Sequence, residues 1–248
     1  MVSAFAAGVG YFARGFGLIT RPGLRRFVVI PLLVNIIVFL ALGYSGVQAF
    51  DWLLAQLMPT GDAWWIELLR SVLWVLFAAA AVIVLLFTFS IVANLIAAPF
   101  NGVLSARVEQ QLRGSAPDSG RGLMGEAFAA ITSELRKFLY FLLLVALGVV
   151  VTIIPVLNLV SPAVWILITI WMLGLEYIAY PMENRGIEFR QVREMARANR
   201  ASAMGFGVAV MLVMMIPVLN LVVMPAAVAG ATAMWVERLG ASAGVSSS

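Results

Sequence analysis

Four stretches of the chain carry no charged residue at all: 27–50, 71–106, 138–175 and 201–236. A helix needs about 20 apolar residues to cross the ~30 Å hydrocarbon core of a bilayer, so each stretch suffices for at least one pass. The remaining polar surface is too small for water: 63% of residues are hydrophobic and 11% charged, against about 25% charged in soluble domains. The stretches are apolar all round and do not alternate, which excludes a transmembrane β-barrel. An all-α integral membrane protein is predicted.

Within that class the order of elements follows from breaks and charges. Residues 1–20 repeat Phe5, Phe12, Phe16 and Ile19 near helical spacing; this Gly-rich segment reads as an interfacial helix too short to span. Thr20-Arg21-Pro22-Gly23 reads as a helix start with Pro22 in the first helical position. Spanning helices are expected at 27–50 and 71–106, separated by a loop at 51–70 in which Asp51, Asp62 and Glu67 outweigh Arg70. A cytoplasmic segment at 107–137, with a Gly/Ser/Pro/Asp linker at 114–122, precedes an apolar hairpin at 138–180. A basic cytoplasmic helix at 183–200 and a second hairpin at 202–237 complete the single membrane domain.

Both hairpins contain the same seven letters. Ile154-Pro155-Val156-Leu157-Asn158-Leu159-Val160 recurs as Ile216-Pro217-Val218-Leu219-Asn220-Leu221-Val222, and each copy is followed by a further proline, Pro162 or Pro225. Proline removes a backbone donor and Asn favours turns, so each copy should break its helix. Charge-free arms of about 15 residues rise roughly 22 Å, short of the hydrocarbon thickness. The hairpins are therefore expected to be re-entrant and only partially inserted. Two ordinary pairs of short spans are the competing reading.

Orientation comes from the arginines. Fifteen of the 16 basic residues lie before residue 27, at 107–137, at 185–200 or at 238; Arg70 is the exception. The positive-inside rule places both termini in the cytoplasm and loop 51–70 outside. The absence of Cys and His removes disulfides, thiolate metal sites, His proton relays and the Ser-His-Asp triad. No G-x-x-x-x-G-K-[ST] element occurs, so nucleotide hydrolysis is not expected, and neither is a cofactor, a metal or nucleic acid.

Three groups of residues bear on function. At Arg21-Pro22-Gly23-Leu24-Arg25-Arg26, a helix N-terminus would leave the N–H groups of Gly23, Leu24 and Arg25 unpaired, and two guanidinium forks lie beside them. That chemistry suits a tetrahedral oxyanion; alternatively the arginines merely anchor a span. Asn35, Asn94, Asn101, Asn158 and Asn220 are amides within apolar sequence, able to line an anion path or to tie helices together. Arg107 and Glu109 read as an ion pair at a pore mouth or at the surface. Last, Arg190, Arg193, Arg197 and Arg200 share one helix face while Phe189, Val192 and Ala196 lie on another, a basic stripe for membrane lipid headgroups, for solvent or for a vestibule that concentrates anions.

Arg21 to Asn35, Asn94-Leu-Ile-Ala-Ala-Pro-Phe-Asn-Gly102 and Glu176-Tyr-Ile-Ala-Tyr-Pro-Met-Glu-Asn184 resemble segments of the bacterial CysZ sulfate permease family, in the family's order over roughly residues 5–238. The resemblance implies sulfate uptake across the inner membrane for cysteine biosynthesis. It also implies two full spans with two partly inserted helix pairs, and homo-oligomers, dimeric or larger. In the family a Gly-Leu-Arg element is associated with sulfate, which Gly23, Leu24, Arg25 and Arg26 match. Sulfite is then the expected competitor. Flux without nucleotide requires an anion gradient or coupled protons, for which Glu109, Glu176 and Glu183 are the carboxylates available. A non-transporting membrane scaffold or assembly factor is the alternative from another class, and an enzyme finds no nucleophile–base set.

Overall fold

The computed structural model describes residues 1–59, 63–117, 119–120 and 122–240, without the side chains of 85–99, 123, 124, 126, 127, 130, 217, 218 and 221. Its described elements are helical, with no strand among them. Helix α1 spans Val2–Ile19, α2 Arg26–Leu57 and α3 Trp64–Arg113. Helix α4 spans Leu123–Ile153, α5 Ser161–Glu183, α6 Phe189–Ala198, α7 Arg200–Met214 and α8 Pro217–Met234, after which the chain continues as a π-helical turn, Trp235–Leu239. Among the described residues, six helices are long and apolar enough to cross a membrane. The chain is an all-α, multi-pass membrane protein.

Two compact units make up the chain. One holds residues 29–100 and consists of the adjoining parts of α2 and α3. Phe50 of α2 stacks on Phe77 of α3 at 4.2 Å and is set edge-on to Trp74 at 4.8 Å. The loop expected at 51–70 is mostly helix. Asp51 and Glu67 are exposed on helical turns, and a charge on a solvent-facing turn does not stop a helix.

The other unit contains residues 1–28 and 101–248, with α1, α7 and α8 closely packed. A Cβ at Gly8 would overlap the Ser202 carbonyl, one at Gly15 the Ala226 carbonyl, and one at Gly205 the Phe5 carbonyl. Small residues let membrane helices approach to backbone contact where lipid supplies no hydrophobic drive. Phe12, Leu18, Phe206, Val228 and Met234 fill the core alongside them. Helix α1, expected as a surface-lying element, is thus an integral packing member, and its 18 residues meet the length and apolarity of a span.

The repeated heptapeptide breaks the chain twice, in two different ways. In the first copy Val156 adopts φ 73°, a single 3₁₀ turn covers Leu157–Leu159, and α5 restarts with proline in its first turn. In the second copy only Met215 and Ile216 leave the helix; Pro217 opens α8, and Asn220 lies inside it. The next proline is also placed differently. Pro162 sits in the first turn of α5, where its missing N–H has no intrahelical partner to lose, whereas Pro225 lies within α8. Helix lengths also differ from the expected arms. α7 has 15 residues and rises roughly 22 Å, but α5 has 23 and rises roughly 34 Å, because Glu176, neutralised by Lys137, does not end it.

Candidate functional site

The segment 21–25 is a pair of turns, and α2 begins only at Arg26. The expected helix start at Pro22 is therefore corrected. The Arg21 carbonyl accepts the N–H of Leu24 at 3.1 Å and of Arg25 at 3.3 Å, so two of the three amides expected to be unpaired are in use. Gly23 has φ +85°, a left-handed conformation that an L side chain rarely adopts. Leu24 is fully buried in the core that also holds Leu104 and Val108 of α3. The Gln111 side-chain amide of α3 donates to the Pro22 carbonyl at 3.1 Å, which fixes the turn to that helix. Anchored this way, the turn exposes Arg21, Arg25 and Arg26, none with an acidic partner among the described residues. Arg26 lies 4.9 Å above the Phe27 ring. Guanidinium groups at the positive end of α2 repel its dipole, a mismatch that a bound anion relieves.

A second polar feature runs down one face of α3. Asn101, Ser105 and Glu109 follow at four-residue steps, all buried, and Arg113 continues the series. Ser105 and Thr232 of α8 share a buried hydrogen bond of 2.9 Å. Glu109 is completely buried; its Oε1 accepts Arg185 Nε at 2.7 Å and lies 3.6 Å from Arg113 Nε, while Oε2 has no hydrogen-bond partner among the described residues. The expected Arg107–Glu109 pair does not form. Residues two apart point to different sides of a helix, and Arg107 donates instead to Gln110 Oε1 at 2.8 Å. Arg107, Gln110 and Asn184 line a cleft of about 360 Å³ with Gly102, Val103, Ala106 and Ala116. There the Asn184 amide holds the Gly102 carbonyl at 2.9 Å.

The other expected residues are dispersed. Asn35 lies buried on α2, one turn after Pro31, in the unit of residues 29–100. The side chain of Asn94 lies outside the described residues. Asn158 and Asn220 are both exposed beside the two chain breaks. Of the remaining carboxylates, Glu176 meets Lys137 at 3.3 Å and Glu183 accepts the Ser133 hydroxyl at 2.7 Å. Gln111, Arg113, Asn184 and Arg185 were not singled out from sequence. The four-residue spacing from Asn101 to Arg113 carried the signal for Arg113, whereas the long-range partners had none.

A family model described as Sulfate transporter CysZ/Etoposide-induced protein 2.4 matches residues 11–225. A protein of Pseudomonas aeruginosa (strain LESB58) named Sulfate transporter CysZ is 40% identical over 240 residues, covering 96% of this chain and 97% of its own. One of the same name from Pseudomonas paraeruginosa is 40% identical over the same shares, and one from Pseudomonas fluorescens is 39% identical over 246 residues, 97% of each chain.

Proposed function

The chain belongs to the Sulfate transporter CysZ/Etoposide-induced protein 2.4 family, and from that membership we propose that it carries sulfate across a bacterial inner membrane, for cysteine biosynthesis and as a homo-oligomer. The observation that carries the reading is similarity over nearly the full length to proteins named for this cargo. The turn at Gly23, Leu24, Arg25 and Arg26 supports a binding role. Leu24 is a buried peg, Gly23 supplies the bend, and Arg25 and Arg26 offer forked donors with no internal counter-ion. The donor set is thus mainly guanidinium, and Arg21 belongs to it; of the three amides, that of Gly23 alone has no backbone partner among the described residues. Beyond the turn, Asn35, Asn94, Asn101, Arg107, Glu109, Asn158 and Asn220 are the pathway candidates; Asn101 and Glu109 share the buried polar face of α3. The termini face the cytoplasm in this reading.

Labelled sulfate uptake into proteoliposomes tests the function. Protein-containing vesicles should accumulate sulfate above empty ones without nucleotide, and an imposed pH gradient separates simple flux from proton-coupled flux. A scaffold passes none. Binding is tested separately by calorimetry. Charge-assisted hydrogen bonds contribute about 1.5–3 kcal/mol each, and 1.4 kcal/mol is about tenfold in affinity. Arg25→Ala/Arg26→Ala is therefore expected to weaken sulfate at least tenfold, with sulfite competing in the unaltered protein. Unchanged affinity in a well-folded double variant reduces the arginines to membrane anchors.

A further inference from the structure

The ten-residue α6 carries arginines that the proposed sulfate site does not use. Its inner face is fixed: Phe189, Val192 and Ala196 are buried in the core. A capping box between Glu188 and Gln191 closes its first turn. On the outside Arg190 and Arg197 are exposed, and Arg200 follows, also exposed, at the start of α7. Arg190 is partnered by Glu194 at 3.0 Å, but Arg197 and Arg200 have no acidic partner among the described residues.

Contacts with α4 set the level of this row relative to the apolar sequence. Arg136 and Lys137 are the last charges of α4 before the stretch 138–175. Arg136 pairs with Glu188 at 2.5 Å, immediately before α6. Tyr140, one turn further on, lies 5.8 Å from the Phe189 ring and 4.9 Å beneath the Arg193 guanidinium. Its hydroxyl accepts the Trp171 indole N–H at 3.0 Å. Tyr and Trp collect at the headgroup level of a bilayer, so the aromatic pair and the last charges mark the same border. α6 is also tethered at both ends to apolar helices, α5 and α7.

We propose that Arg190, Arg197 and Arg200 bind the phosphodiester headgroups of anionic phospholipids and hold α6 on the membrane surface. Seven residues separate Arg190 from Arg197, roughly 10 Å along the axis. A row spread over that length, at the level of the last charges and the Tyr140–Trp171 pair, suits several neighbouring headgroups at once. Exposed basic side chains at such a border attract acidic lipid. The inference does not depend on what the protein transports.

The test is native mass spectrometry of the full-length protein in detergent, offered phosphatidylglycerol and phosphatidylcholine in equal amounts. The unaltered protein should retain phosphatidylglycerol at least tenfold better than Arg190→Gln/Arg197→Gln/Arg200→Gln. All three positions are exposed, so the fold is expected to survive. Arg190→Lys/Arg197→Lys/Arg200→Lys should keep the preference, because the charges remain. Equal retention by the unaltered and Gln proteins overturns the proposal, as does loss in the Lys protein. Displacement of the lipid by sulfate beyond that by chloride at matched ionic strength overturns it too, and would make the row a vestibule for soluble oxyanions.

Discussion

Arg107 and Glu109 stand two positions apart on α3, and that step decides which of them reaches the core. Glu109 points inward and is completely buried, which a lone carboxylate cannot sustain without an opposite charge. Arg185 supplies it at 2.7 Å and Arg113 adds a weaker contact at 3.6 Å. Removing one member of a buried pair leaves the other uncompensated and costs about 3–5 kcal/mol, while replacing both costs less. Arg185→Gln is therefore expected to destabilise the protein by about 3 kcal/mol, near the lower bound because Arg113 stays close. Glu109→Gln/Arg185→Gln should recover part of that loss in thermal unfolding in detergent. Strictly additive single changes would mean that the two do not act as a pair. From sequence, the candidate turn was legible in its residue types, since Gly23 and the adjacent arginines name their own chemistry. Its backbone was not: Pro22 fits a first helical position equally well, and the bonds to the Arg21 carbonyl accompany a long-range burial of Leu24 that local residue types do not announce.

Helix breaks were legible at the level of the element, and their form was not. Identical heptapeptides give a 3₁₀ turn in one place and the first turns of α8 in the other, the next proline opening a helix in the first case and lying within one in the second. Val156 bears the cost of the first arrangement. It is a β-branched residue at φ 73° with its side chain exposed, and such backbone strain is of order 1–3 kcal/mol. Val156→Gly is expected to raise stability by about 1 kcal/mol, because little packing is lost while the φ penalty disappears; a lower unfolding temperature would mean that the exposed side chain packs against something in the bilayer. Charge-free arm length was a poor guide to helix length, as α5 continues through Glu176 to Glu183. Partial insertion is supported by α7, whose 15 residues fall short of the about 20 that a span requires. A cysteine at Leu219, in the first turn of α8, is expected to resist a bulky impermeant thiol reagent applied from outside. Ready labelling there would favour a full pair of spans.

For the whole molecule, the distribution of charge along the chain carries the argument. The charge-free stretch 71–106 lies inside the single helix α3, so the proposed topology puts Ala63 and Ser115 on opposite sides of the membrane. The positive-inside rule counts Lys and Arg near the ends of spans and assigns the richer side to the cytoplasm. Arg107, Arg113 and Arg121 lie on the linker side of the stretch, as do Arg136 and Lys137, whereas the other side offers Arg70 alone. The proposed cytoplasmic placement of the first terminus rests on the same count, with Arg14, Arg21, Arg25 and Arg26 all preceding the stretch 27–50. The chain has no native cysteine, so introduced thiols report cleanly. A cysteine at Ala63 should react with an impermeant maleimide added to intact cells, and one at Ser115 only after the membrane is opened; both positions are exposed. Reversed labelling would put the Arg25 and Arg26 turn on the outer surface. The buried polar face of α3 would then be read as leading from a periplasmic anion site inward, instead of toward a cytoplasmic one. Labelling of both positions in intact cells would mean instead that the stretch 71–106 does not cross the membrane, against its length and composition.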